Sequence, residues 1–417
     1  MKKDKHSHIS ADEEQAEHLK LEYALAEKNK GVNIALITAF FAFIFVFAIL
    51  FWALPDRELS ETENRALQSF PTFNFKTLSD GTFTEQFASY MADQFPARDF
   101  FVGVKAAAES AMLKGQNNGV IAAEGGYLIT RYDSVDEKIL ENNIDCISQF
   151  SHAADEKGIR VTVAFAGRTM DVAASILPRT YGAGSSEAAW EALDRFCAEK
   201  ELTYVNLLDP LKKRFESGEY VYYRTDHHWT TLGAMYAYNE IATEAGLPTS
   251  STDGYDVTEV SDAFYGTTWS TAGIKWARPD TMEFFRFAGD DRLTTAVQDG
   301  ESFQGLYKTE ALETKDKYTA FIGGNAARVD VTSENSQREK ILLVKDSFAH
   351  SVAPFLAEEY DLVILDLRYY NVEPGNSARQ SLIKLCEEEG IEKVILLYNM
   401  DTLSSEAGFR NFKYDLK

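Results

Sequence analysis

An uninterrupted apolar run, VNIALITAFFAFIFVFAILFWAL at residues 32–54, constrains this chain more than any other feature. No charged side chain lies between Gly31 and Pro55. About 20 apolar residues in a helix match the hydrocarbon thickness of a bilayer. Two other readings compete. The core helix of a soluble domain normally carries a polar stripe, and this run has none. A cleaved signal peptide has a shorter apolar stretch nearer residue 1 and ends in small residues, whereas Phe51-Trp52-Ala53-Leu54-Pro55 is a poor cleavage site. The run is therefore read as an uncleaved anchor at residues 31–54. Lys20, Lys28 and Lys30 precede it closely and Arg57 and Arg65 follow, a bias towards a cytoplasmic N-terminus. Residues 1–30 read as a solvated cytoplasmic tail, and residues 55–417 as extracytoplasmic.

The exterior part is strongly acidic. The whole chain carries −23, and only −1 of this belongs to the tail. That argues against nucleic acid as a partner, because phosphate binding needs a basic face. Cys146, Cys197 and Cys386 have no C-x-x-C spacing and an odd count, so neither a zinc ribbon nor a disulfide framework is expected.

Residues 55–137 read as an N-terminal extension. It contains Glu63-Asn64-Arg65, Asp93-Gln94-Phe95-Pro96-Ala97-Arg98-Asp99, helical spacing at Phe83, Phe87, Tyr90 and Met91, and two short strands around Glu124-Gly125-Gly126. From residue 138 to the C-terminus, amphipathic helices alternate with apolar strands. The strands are expected at 159–166, 202–209, 341–346, 361–367 and 391–398. This alternation predicts an α/β fold with a parallel sheet flanked by helices. Residues 250–335, rich in Thr, Phe, Tyr and Gly, interrupt it and read as an antiparallel, β-rich insertion carried by the sheet.

Two segments can carry chemistry. In Tyr222-Tyr223-Arg224-Thr225-Asp226-His227-His228-Trp229-Thr230, two of the four histidines outside the tail stand beside an aspartate. A helix follows, with Thr230 as its expected N-cap. In Leu343-Val344-Lys345-Asp346-Ser347-Phe348 an apolar strand ends and a helix begins, placing Ser347 where open α/β sheets put their sites. A serine hydroxyl needs a base to take its proton, and imidazole does so near neutral pH. A carboxylate on the other ring nitrogen holds the tautomer. The assignment is Ser347 as nucleophile, His228 as base and Asp226 as orienter, with His227 as the competing base. The competing readings are an N-cap role for the Asp346-Ser347 pair and a metal site on the histidines. Adjacent histidines give no i,i+4 chelate, so no metal or other cofactor is assigned. Gly324 and Asn325 in Gly323-Gly324-Asn325 are candidate oxyanion groups, against the simpler reading of a turn. Tyr222, Tyr223, Trp229 and Trp269 are either sugar-stacking aromatics or packing; Tyr223, Arg224 and Trp229 are taken as substrate-binding candidates.

The Asp226-His227-His228-Trp229 stretch, with Glu63-Asn64-Arg65, Asp93-Gln94-Phe95-Pro96-x-Arg98-Asp99, Phe264-Tyr265-Gly266-Thr267, Gly323-Gly324-Asn325 and Lys345-Asp346-Ser347-Phe348-Ala349, resembles the DHHW family of bacterial proteins. That family is similar to the alginate O-acetyltransferases, which have an SGNH-hydrolase-like fold and an Asp-x-His pair upstream of a serine. The resemblance implies Asp226, His228 and Ser347 as the catalytic residues and makes His227 a neighbour. Lys345 departs from the Gly-Asp-Ser of SGNH enzymes. The resemblance further implies O-acetyl transfer to a cell-surface or exported polysaccharide, beside a polytopic membrane O-acyltransferase that supplies the acetyl group. An esterase with the same triad and a non-catalytic glycan-binding or assembly protein are the alternatives.

Overall fold

The computed structural model describes residues 11–60, 65–112, 114–181, 184–334, 337–370, 381–406 and 408–416. Glu63 and Asn64 lie outside these. The chain forms two compact units, one of residues 1–60 and 65–101, the other of residues 61–64 and 102–417.

The first unit is built on the helix Ala11–Ala53. Its stretch Asn29–Ala53 is long and apolar enough to cross a membrane, and almost none of it is buried by protein. Phe47 stacks on Phe95 at 5.3 Å, and Phe51 meets Tyr90 edge-on at 5.6 Å. The polar residues of the Asp93–Asp99 motif tie this unit together. Asp93 accepts from the Gln68 backbone N–H, Gln94 accepts from the Arg57 N–H, and Arg57 reaches Asp99 at 3.2 Å.

The second unit holds an eight-stranded sheet. In chain order its strands are β1 (Arg160–Ala166), β2 (Val205–Asn206), β3 (Thr294–Val297), β4 (Phe303–Gln304), β5 (Arg328–Thr332), β6 (Lys340–Lys345), β7 (Asp361–Leu365) and β8 (Lys393–Asn399). The spatial order is β4-β3-β5-β7-β6-β8-β1-β2. From β7 to β2 the pairing is parallel, as the alternating pattern predicts, and β5, β3 and β4 add an antiparallel flank. The continuous apolar run of β6 is what a strand covered on both faces needs. Ile341 and Leu343 enter one core cluster, while Leu342 and Val344 enter the other, following the two-residue period of a strand. The result is an α/β architecture, a parallel sheet covered by helices with an antiparallel flank.

Four local expectations change. The strand expected at 202–209 pairs only at Val205–Asn206, because Asn206 turns its Oδ1 onto the N–H groups of Leu208 and Asp209 and the helix Leu208–Glu216 starts at once. The helix expected after Ser347 is a 3-10 segment, Ser347–Ser351, followed by the short α-helix Ala353–Ala357. The 250–335 segment splits. Strands Asp256–Phe264 and Asp280–Arg286 form their own antiparallel pair, whereas β3, β4 and β5 join the main sheet. Residues 116–130, read with the extension, form a three-stranded sheet within the second unit, where Val120 and Leu128 share a small core with Ala272 and Ile274.

Candidate active site

The site is assembled from the carboxyl end of β6 and one tightly held loop. Asp346 ends β6. It is fully buried; its carboxylate accepts from the N–H of Phe348 at 2.9 Å and of Asn399, the last residue of β8, at 2.8 Å. One side chain thus caps the 3-10 turn and ties it to the neighbouring strand. Burial pushes this carboxyl up, although the two backbone N–H bonds oppose it. Ser347, half-buried, follows at the start of the turn.

The loop is pinched at its base, where Tyr223 N–H donates to His228 C=O at 3.1 Å and Thr230 N–H donates to Val221 C=O at 3.0 Å. Thr230 caps the helix Thr231–Ala245, as expected, by accepting from Gly233 N–H. Asp280 holds the loop from below. It is buried and accepts from the N–H groups of Arg224 and Thr225 at 2.9 and 2.7 Å. Trp229, wholly buried, donates its indole N–H to Phe348 C=O at 3.0 Å and to Ser351 Oγ at 2.9 Å. The loop is thereby bonded to the serine turn through the core.

These restraints bring Asp226, His228 and Ser347 into one hydrogen-bonded chain. His228 Nδ1 lies 2.5 Å from Asp226 Oδ1, and its Nε2 lies 2.7 Å from Ser347 Oγ. An ionised carboxylate only accepts, so Nδ1 carries the proton, and in the neutral ring Nε2 is left as acceptor for the serine hydroxyl. Asp226 also accepts from His228 N–H at 3.0 Å, and from Thr267 N–H and Oγ–H at 2.8 and 3.2 Å. Burial alone would raise its carboxyl. The adjacent rings of His227 and His228, and these bonds, outweigh that and hold it well below the usual carboxylate range. Gly266 is required here for space: a Cβ added to it would stand 2.1 Å from Asp226 Oδ2.

Tyr318 completes the site, and nothing in the sequence reading assigned it. Its ring lies flat on His228, centroids 4.0 Å apart and planes 9° apart. Its hydroxyl reaches Ser347 C=O at 3.3 Å and Ser351 Oγ at 3.1 Å. Tyr318 therefore holds the imidazole by its face and the serine by its backbone. It comes from a 3-10 turn in the irregular 250–335 segment, where no periodicity points to a site.

The other expected residues fall as follows. Tyr223 and Trp229 are buried to 1% and 0% exposure, so neither offers a face to a sugar; their part is packing, which corrects the substrate-binding expectation. Arg224 is partly exposed and stacks over Tyr220 at 4.3 Å, turned towards Asp280. Gly324 lies in a turn with φ +87°, and Asn325 is exposed, its amide oxygen accepting from Arg368 at 3.3 Å. No hydrogen bond joins either residue to Ser347 or His228 among the described residues. His227 is bonded to Thr267 Oγ at 2.7 Å.

Asp226, His227 and His228 offer ligand atoms close enough together to hold a metal. Both nitrogens of His228 and Nδ1 of His227 already sit in bonds to Asp226, Ser347 and Thr267. An ion on those nitrogens has to break the chain that links the base to the serine.

A family profile described as DHHW protein matches residues 205–365, a stretch that contains Asp226, His228 and Ser347. No curated protein matches the chain. Among solved structures, a DHHW family protein from Eubacterium siraeum is 21% identical with a TM-score of 0.57, covering 72% of this chain and 96% of its own. Bacillus cereus PatB1, solved with a sulfonyl adduct, is 18% identical with a TM-score of 0.56, covering 70% of this chain and 99% of its own. At these identities the likeness speaks for the fold. The resemblance read in the sequence is borne out: over residues 205–365 this chain carries the match to the DHHW protein family, on the fold of that family's solved member from Eubacterium siraeum.

Proposed function

We propose that the chain is a membrane-anchored, extracytoplasmic O-acetyltransferase that passes an acetyl group through Ser347 to a hydroxyl of a cell-surface or exported polysaccharide. The observation that carries this reading is the hydrogen-bonded chain from Asp226 through His228 to Ser347. Ser347 Oγ attacks the acyl carbon of the donor and its proton passes to His228 Nε2. The imidazolium is stabilised by Asp226, which keeps its own charge. The oxyanion is met by the Ser347 backbone N–H. Asn325, at the same carboxyl edge of the sheet, offers its NH₂ group as a second donor, since its amide oxygen is held by Arg368. The leaving group takes the proton from Nε2 and departs, giving acetyl-Ser347. The acceptor hydroxyl then attacks while His228 removes its proton, and the tetrahedral intermediate collapses to the sugar ester and free serine.

The helix Asn29–Ala53 serves as an uncleaved anchor, with Lys20, Lys28 and Lys30 on the cytoplasmic side. A polytopic membrane O-acyltransferase is the source of the acetyl group. The test is a two-acceptor assay on the full chain in detergent, with p-nitrophenyl acetate as donor. Acetyl transfer to added polysaccharide in competition with water, abolished in Ser347→Ala, is the expected result. Release to water alone, unchanged by any saccharide acceptor, assigns the same serine to an esterase instead.

A further inference from the structure

Two chain segments hold the base and its carboxylate, and both run on into a second feature. Residues 264–270 grip Asp226 through Thr267, and the 3-10 turn Lys317–Ala320 grips His228 through Tyr318. The neighbouring parts of the same segments, Tyr265 to Trp269 on one side and Glu313 to Lys317 on the other, wall an open groove of about 390 Å³. A narrower pocket that shares Tyr265 and Lys315 with this groove reaches Asp226 itself. The groove is thus walled by the same two segments that position the reactive centre.

The walls have a definite chemistry. Tyr265 and Trp269 form a ring pair with centroids 4.6 Å apart and planes tilted by 37°. The Trp269 indole N–H is buried without an acceptor. An unpaired buried donor is unusual and is satisfied by water or by a ligand. Lys315 stands over the Trp269 ring with its ammonium 5.4 Å from the centroid, and donates to Ser270 Oγ. Glu313 is exposed on the same wall. Ring faces beside hydroxyl-seeking donors and acceptors suit a saccharide, which has apolar C–H faces and a polar rim; the size falls in the range of a ligand cleft.

We propose that this groove is a saccharide subsite, holding a unit of the acceptor chain beyond the one that receives the acyl group, with Tyr265 and Trp269 as its stacking residues. The proposal rests on the transferase reading and deepens it. It also explains how an acceptor hydroxyl could be favoured over water: a chain held at a second point presents its hydroxyl at high effective concentration.

The test separates binding from chemistry. Cellopentaose, chitopentaose and mannopentaose are titrated calorimetrically into full-length Ser347→Ala protein, and into the same protein carrying Trp269→Ala or Trp269→Phe. The expected result is binding of at least one pentasaccharide, weakened tenfold or more by Trp269→Ala and less by Trp269→Phe. In parallel, fluorophosphonate labelling of Ser347 in the single Trp269→Ala variant reports whether the serine and the fold are intact. Equal affinity in all three proteins, or no binding of any of the three sugars by Ser347→Ala, overturns the subsite. Should Trp269→Ala lose labelling as well, Trp269→Phe carries the comparison, and unchanged binding in it again overturns the subsite. Failure of the wild type to label is a separate outcome, against the serine mechanism and not against the groove.

Discussion

Two clusters of similar composition lie on either side of Tyr318. On one side are Asp226, His228 and Ser347; on the other, Asp366, Lys345 and His350. The Tyr318 ring is 4.0 Å from His228 and 5.9 Å from His350, roughly parallel to both. Each cluster joins a carboxylate, an imidazole and a third polar group. Lys345 Nζ lies 2.7 Å from His350 Nε2 and 3.2 Å from Asp366, and Arg368 bonds the same carboxylate. The difference is access and direction. In the first cluster the hydrogen bonds run outward to a half-buried hydroxyl. In the second they close on a lysine that is 1% exposed. Burial pushes the Lys345 ammonium below its usual value against the pull of Asp366, and burial and Lys345 together keep His350 neutral. The same groups that suit proton transfer at an opening suit only structure in a sealed cluster. Lys345 is thus placed as a strut beneath the serine turn.

The comparison can be broken from either side. The largest effect is expected on the open side. Replacing His228 by Ala should lower acyl transfer on the order of 10⁴-fold, with the fold kept, because the serine loses its base. Asp226→Asn should cost a similar factor by freeing the wrong tautomer, and it should also change the acid limb of stability. The Asp226 carboxyl is held below its usual range when folded. Its stabilising contribution is therefore full above about pH 4 and is lost as pH falls through that range towards the lower folded value. Urea unfolding from pH 7 to pH 3 should show wild type losing its advantage over Asp226→Asn as the solution is acidified. A constant gap would contradict this.

On the sealed side the effect moves from chemistry to stability. Lys345→Met removes one cation from a buried carboxylate that keeps Arg368. It should cost about 3 kcal/mol of stability, the lower end for breaking a buried pair, while transfer by the folded fraction stays within a few-fold. A loss of 10³-fold or more in kcat at unchanged folding would make Lys345 part of the chemistry and end the contrast. The smallest effect belongs to the partition itself. Tyr318→Phe keeps the stack on His228 and loses the bonds to Ser347 C=O and Ser351, at about 1 kcal/mol. Tyr318→Leu, which loses the ring, should lower kcat more than it raises KM.

Much of the site was legible in the sequence because its parts are marked locally. Asp226 and His228 are two residues apart, and Ser347 stands where an apolar strand meets a turn. The parallel sheet was legible for the same reason, since β6, β7, β8 and β1 are short, mostly apolar runs between helical patterns. What stayed hidden depends on long-range placement. Asp280, Thr267 and Tyr318 reach the site from a segment whose strands divide between two sheets, so no period links them to it. Tyr223 and Trp229 read as either sugar-stacking or packing aromatics because a loop sequence does not say which side chains turn inward. Here the pinched base of the loop sends both into the core. Trp269 read the same way in the sequence, yet it lines an open groove.

The central claim is that Ser347 is an activated nucleophile driven by His228. Its most direct test is intact-mass measurement of the full-length protein after treatment with a fluorophosphonate, for wild type, Ser347→Ala and His228→Ala. One adduct is expected on wild type, located at Ser347 by peptide mapping, with none on Ser347→Ala and almost none on His228→Ala. An adduct that persists in Ser347→Ala, or a folded wild type that takes up no reagent, would contradict it.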